Sequence, residues 1–101
     1  MKPVSFQPEA LAELENAKAY YEKKLPGLGS RFIDTVEHGL RAISRFPAVH
    51  PPHGKSDLRK RVLRRFPYTI YFLESETLIW IVALAHQRRR PDYWKSRKPG
   101  L

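Results

Sequence analysis

The order of apolar and polar residues divides the chain into segments of two periods. "PVSF" (residues 3–6) predicts a short strand. "QPEALAELENAKAYYEKK" (7–24) then takes a helical period, with Leu11, Leu14, Ala17 or Lys18, Tyr21 and Leu25 along one face. Pro8 suits a first helical position, where an N–H is not needed, and Glu9 suits the positive end of the helix dipole. "LPGLG" (25–29) ends that helix, because proline cannot continue it and glycine admits a tight turn. The second helix, about Leu28 to Phe46, carries the strongest periodic signal: Leu28, Phe32, Ile33, Val36, Leu40 and Ile43. Two helices joined by so short a break form an antiparallel hairpin.

"PAVHPPHGKSD" (47–57), with three prolines and a glycine, predicts a loop. Beyond it the period drops to two. In "LRKRVLRR" (58–65), Leu58, Lys60, Val62 and Arg64 share one side, and Arg59, Arg61, Leu63 and Arg65 the other. So many bases suit a strand near a sheet edge or rim. Phe66-Pro67 is a break, "YTIYFLE" (68–74) the next strand, and Ser75-Glu76 a turn. "TLIWIVALA" (77–85) is apolar on both faces, as befits a central strand covered on both sides. The expected fold is α+β in the order β-α-α-β-β-β, an N-terminal strand and antiparallel helical hairpin packed on a small antiparallel sheet. It forms one domain over residues 1–101, with 96–101 as a flexible tail.

Composition narrows the chemistry. The chain has no cysteine, which excludes disulfides, thiolate metal sites and cysteine nucleophiles and fits a reducing compartment. No apolar run approaches the ~18 residues of a membrane span. The N-terminus brings Glu9, Glu13 and Glu15 where a signal peptide would be apolar. The expectation is a soluble cytoplasmic protein with no membrane partner. The net charge of +9 is unevenly distributed. Residues 1–46 hold seven basic and six acidic side chains, whereas 47–101 hold twelve and four. All twelve bases fall in "KSDLRKRVLRR" (55–65) and "HQRRRPDYWKSRK" (86–98). Such segregation points to a surface for an anionic partner.

His86 ends the central strand, a rigid mount, and Arg88, Arg89 and Arg90 follow it. Antiparallel neighbours are expected to bring Arg59, Arg61, Arg64 and Arg65 to the same side, creating a shared basic face. Three chemistries fit. Arginine forks bind phosphates while Tyr93 and Trp94 offer stacking faces for bases. RNA cleavage would use His86 or Tyr93 for protons and Arg88 or Arg89 for phosphorane charge. Capture of an acidic protein segment is the third. Plainer roles stand beside these: His86 as a strand terminus, Tyr93 and Trp94 as a hydrophobic lid. His50 and His53 lack a carboxylate or cysteine beside them and imply no metal, and His38 is expected on the surface of the second helix. There is no P-loop, dinucleotide turn or serine-nucleophile motif, and no cofactor is implied.

The hairpin "ALAELENAKAYYEKKLPGLGSRFIDTVEHGLRAISRFP", the strand pair "RRFPYTIYFLESETLIWIVALAH" and the ending "HQRRRPDYW" together resemble the RelE/ParE superfamily of type II toxins, which include plasmid stabilisation proteins. The resemblance spans about residues 3–95. It implies a toxin that arrests growth and is neutralised by a cognate antitoxin, acidic and partly disordered. RelE-like members cut mRNA on the ribosome and are endonucleases; ParE-like members poison DNA gyrase and are not themselves enzymes. His86, Arg89 and Tyr93 fall where RelE-like members keep catalytic groups. Tyr68 or Thr69, however, stands where those members often carry an arginine. The long hairpin and the "H--R-P" ending look more like ParE. A benign basic nucleic-acid-binding module, or an inactive relative, is the remaining alternative.

Overall fold

The computed structural model describes residues 1–90 and 92–97. The first helix, α1, runs Pro8–Lys24 and the second, α2, Leu28–Arg45, with proline at the start of α1 as its fixed φ favours. The break between them is made at Gly27, whose φ of 90° is open to glycine at no steric penalty. Glu22, in the last turn of α1, reaches across and accepts hydrogen bonds from the Gly27 N–H (3.0 Å) and the Gly29 N–H (3.1 Å). One carboxylate thus serves two amides at the start of α2 that have no partner within the helix, where its charge also suits the dipole. Gly29 must be small: a Cβ there would lie 2.8 Å from the Lys18 carbonyl oxygen and 2.9 Å from Glu22 Oε1.

Four strands follow the expected order: β1 (Val4–Phe6), β2 (Arg59–Val62), β3 (Tyr68–Glu74) and β4 (Ile79–His86). Their spatial order is β1-β4-β3-β2. The last three form an antiparallel meander, with Arg61 opposite Ile70 and Tyr68 opposite His86. β1 joins β4 in parallel, Val4 opposite Ile79, so the sheet is mixed where an antiparallel one was expected. β4 is central, as its apolar faces require. The segment expected as a loop at 47–57 begins with a single 3₁₀ turn at Pro47–Val49.

The hairpin covers one sheet face. Phe32, Val36 and Ile43 of α2 are fully buried against Ile70, Phe72, Ile79, Ile81 and Leu84. At one end Tyr21, Phe32, Phe66 and Tyr68 form an aromatic cluster with centroid separations of 4.9 to 6.3 Å. α2 therefore packs with its expected stripe, and α1 with the middle of its own: Leu14, Ala17 and Tyr21 meet the core. Leu11 and Leu25 are 43% and 53% exposed, while Ala10 and Ala17 are buried. The buried face of α1 is Ala10, Leu14, Ala17 and Tyr21, with Ala10 in place of Leu11, and its small side chains let the helix lie close to the sheet.

The other sheet face carries a smaller core. Val82, Ala83 and Ala85 of β4 are covered by Trp94, with Leu58, Tyr71, Leu73 and Tyr93 around it. The segment after β4 thus folds back over the sheet. Of the expected tail, residues 98–101 lie outside the described residues, and Arg97 is anchored as set out below.

Candidate functional site

The site begins at the end of the sheet where β2 and β4 finish and β3 starts. The turn after β2 carries Arg64 and Arg65; the turn after β4 carries Arg88 to Arg90. The two turns are joined by the Gln87 N–H donating to the Pro67 carbonyl at 2.7 Å. Arg64, Arg65, Arg88, Arg89 and Arg90 are all exposed, so one end of the sheet presents a row of guanidinium groups. Arg59 and Arg61 are not in that row. They lie on β2, separated from β4 by β3, and are engaged with His50. Arg59 donates to the His50 carbonyl at 2.7 Å, and Arg61 Nη1 lies 3.1 Å from His50 Nε2. The His50 Nδ1 donates to the Phe46 carbonyl at 2.9 Å, which leaves Nε2 to accept from Arg61. The two arginine-rich blocks therefore meet only at their adjoining ends.

His86 stands beside this row. Its Nδ1 accepts the Arg88 N–H at 3.0 Å, and its ring meets that of Tyr68 edge-on at 5.1 Å. Burial, with the neighbouring Tyr21 hydroxyl next, pushes the Tyr68 hydroxyl above the ordinary tyrosine value. Tyr68, which the resemblance set where RelE-like members often carry an arginine, is placed here by the Tyr68–His86 strand register.

Tyr93 and Arg89 belong to a different cluster, centred on Glu13 of α1. The Tyr93 hydroxyl donates to Glu13 Oε2. Arg97 donates to both carboxylate oxygens, at 2.9 and 3.0 Å, and Arg89 lies 3.7 Å from Oε2. Arg89 also covers the Tyr93 ring, its guanidinium carbon 3.8 Å from the centroid. Burial pushes the Tyr93 hydroxyl well above its ordinary value, and the hydrogen bond to Glu13 adds to the rise. Tyr93 is thus a neutral donor held on a carboxylate, the opposite of what a general base needs. The cluster also completes the sheet. β1 ends at Phe6, and beyond it Glu13 Oε1 accepts the Leu84 N–H (3.1 Å) while Arg97 donates to the Val82 carbonyl (3.0 Å). A charged side-chain pair stands in for the backbone that β1 does not supply. Glu13 was legible only as a carboxylate falling between the apolar positions of α1.

Trp94 is 3% exposed, its ring 4.4 Å from Tyr71 and 5.2 Å from His53. It fills the second core and has no open face for a base. His53 Nε2 and Asp92 Oδ1 are 2.8 Å apart, which pins the loop before β2 to the C-terminal segment. That hydrogen bond holds the Asp92 carboxyl below its ordinary value. Among the described residues, no group of three or more His, Cys, Asp or Glu side chains is placed to hold a metal ion. Nor is any helix among them long and apolar enough to cross a membrane.

A groove of about 570 Å³ opens between α2 and the end of β2. Arg31 and His38 line it from α2, facing Arg61, Val62, Arg64 and Arg65. Asp34 is the acidic residue of its wall.

A strand, a helical hairpin and an antiparallel meander ending in a basic rim define a small α+β protein. The family model described as "ParE toxin of type II toxin-antitoxin system, parDE" matches residues 4–91, and the chain belongs to that family. No curated protein matches it. The fold is similar to a solved structure described as "Chromosomal ParDE TA system from P. aeruginosa", with a TM-score of 0.64 and 16% identity, covering 85% of this chain and 96% of that one.

Proposed function

We propose that this chain arrests growth by acting on DNA gyrase and is neutralised by a cognate antitoxin with an acidic, partly disordered segment. The match to the ParE toxin family over residues 4–91 carries the reading. The geometry supports it against mRNA cleavage. Of the three side chains that would run a nuclease, Tyr93 and Arg89 are engaged with Glu13, while His86 sits with Tyr68 in a separate cluster. A positioned acid–base pair at one phosphate is what RNA cleavage requires, and these contacts divide it. The exposed row of Arg64, Arg65, Arg88 and Arg90 suits docking on an acidic or phosphate-bearing surface. Such a toxin works in the cytoplasm by binding and is not itself an enzyme.

Inducible expression without a partner tests the reading. DNA-damage signalling is expected to rise before translation falls, and a neighbouring reading frame encoding an acidic chain is expected to restore growth. An immediate stop in translation would favour mRNA cleavage. Normal growth at high soluble expression would favour a benign basic module.

A further inference from the structure

The arginines at the end of the sheet have no acids to answer them. Among the described residues, Arg64, Arg65, Arg88 and Arg90 pair with no carboxylate, and all four are exposed. Like charges gathered in one place repel one another, so stability alone does not favour the arrangement. Their mount is firm. The turn after β2 is closed by the Leu63 N–H on the Tyr68 carbonyl (2.9 Å) and the Tyr68 N–H on the Phe66 carbonyl (2.8 Å). The turn after β4 is closed by the Arg88 N–H on His86 Nδ1 (3.0 Å) and the Arg89 N–H on the His86 carbonyl (2.9 Å). With the Gln87 N–H tying one turn to the other, the four guanidinium groups ride on a single cross-linked piece of backbone. Such a mount suits a partner whose charges are also fixed.

The surroundings select that partner. A protein interface needs an apolar centre that excludes water. The large exposed apolar side chains are Met1, Leu11, Tyr20, Leu25, Phe46, Val49 and Val62, and none stands on either turn. A single nucleic-acid strand needs successive rings on which to stack its bases. Tyr68 and His86 are half-buried and meet edge-on, and Phe66 is packed against Tyr21 and Phe32. Tyr20 and His38 are exposed, but with one on each helix they make no platform for successive bases. What is left is charge without an apolar centre or a stacking surface, and that is the character of a contact to the backbone of a duplex.

We infer that the rim formed by the turns after β2 and β4 binds the phosphate backbone of duplex DNA, with Arg64 and Arg65 on one turn and Arg88 and Arg90 on the other. Guanidinium forks match pairs of phosphate oxygens. Arg89 stands apart from them, 3.7 Å from Glu13 and over the Tyr93 ring. Backbone contacts carry no sequence information, so the grip is indifferent to sequence and sensitive to salt. That the duplex in the cell is the one on which gyrase works rests on the functional reading above; the grip itself does not.

The test titrates the full chain against a short labelled DNA duplex, followed by fluorescence anisotropy. Binding at low salt is expected, with a log–log salt slope of roughly −3.5 for four phosphates. Arg64→Gln/Arg65→Gln and Arg88→Gln/Arg90→Gln are each expected to lower affinity about tenfold or more, since two charge-assisted contacts are lost. Each is also expected to reduce the slope by about half. Arg41→Gln/Arg45→Gln removes the same charge at the far end of the molecule, where Ser44 bonds the Lys2 carbonyl and Lys2 pairs with Glu74. It is expected to change affinity about twofold or less. All six side chains are exposed, so the variants fold. Absence of binding at low salt, or an equal loss in all three variants, would overturn the inference. So would a single strand or an RNA duplex held more tightly than the DNA duplex, or polyglutamate that displaces the DNA at equal charge. Gyrase poisoning is scored separately. A chain that grips the duplex through the rim yet leaves gyrase unimpaired keeps this assignment and loses the functional reading; a chain that poisons gyrase without binding the duplex does the reverse.

Discussion

Arg97 and Glu13 form a bidentate ion pair, at 2.9 and 3.0 Å, that occupies the edge of β4 past the end of β1. Both side chains are 13% exposed. The pair answers two backbone groups of β4, Leu84 N–H and Val82 C=O, and through Tyr93 it holds the segment that lays Trp94 on the second sheet face. One carboxylate on α1 therefore links the first helix, the central strand and the C-terminal segment.

Replacing Glu13 by alanine leaves the Leu84 amide and the Arg97 guanidinium without their partner in a largely buried place. Loss of one member of such a pair costs about 3 kcal/mol. Urea denaturation is expected to show a midpoint lowered accordingly, and exchange of the Leu84 amide is expected to accelerate. A change under about 0.5 kcal/mol, the scale of an ordinary surface substitution, would show that the pair holds nothing.

Tyr93 adds an alkaline signature. Its hydroxyl is pushed above the ordinary tyrosine value in the folded protein, chiefly by burial. The folded state therefore favours the protonated form more than the unfolded chain does. That contribution is fully present below the ordinary tyrosine value of 10.0 and is lost as pH rises through the higher folded value. Stability is expected to fall above about pH 10 in the native chain, and part of that slope is expected to vanish in Tyr93→Phe. The same variant is expected to keep its toxicity, since the hydroxyl serves Glu13 and moves no proton. Viability counts after induction check this.

At acid pH the sign reverses for Asp92. His53 holds its carboxyl below the ordinary value of 3.8, so the stabilisation it brings is present above that value and disappears as pH drops through the folded one. Asp92→Asn is expected to flatten the acid limb of the stability curve and to raise Trp94 exposure, read as a red shift in fluorescence.

Gly29→Ala tests the hairpin. The added Cβ would meet the Lys18 carbonyl oxygen at 2.8 Å, backbone that cannot swing aside, and would crowd the Glu22 carboxylate at 2.9 Å. Overpacking of this kind costs about 1–3 kcal/mol, against the small gain alanine brings to an exposed helix. A stabilised variant, by thermal melt, would mean that the helices separate more easily than their contact implies.

Much of this architecture was legible in the chain because its strongest patterns are packing patterns. The α2 stripe of Phe32, Val36 and Ile43 is the stripe that is buried, and the two-sided apolar run after residue 77 became the central strand. α1 was legible in part: Leu14, Ala17 and Tyr21 pack as expected, but its end leucines do not. Leu11 and Leu25 face solvent while Ala10 is buried, and hydrophobicity alone does not show that closeness outweighs size there. The site was harder to read. The resemblance grouped His86, Arg89 and Tyr93, which the turn after β4 sends to two clusters. The member that organises one of them, Glu13, lies 80 positions from Tyr93 in sequence. Of the expected shared basic face, Arg64, Arg65 and the Arg88 turn lie where strand ends adjoin, while Arg59 and Arg61 lie on β2, which β3 separates from β4.

The purified chain, added to DNA gyrase with supercoiled plasmid and ATP, tests the proposed target most directly. Loss of supercoiling with accumulation of gyrase-bound, cleaved DNA is the expected result, reversed when the neutralising partner is present. Unimpaired gyrase, together with cut mRNA when the same preparation enters a translating extract, would contradict it.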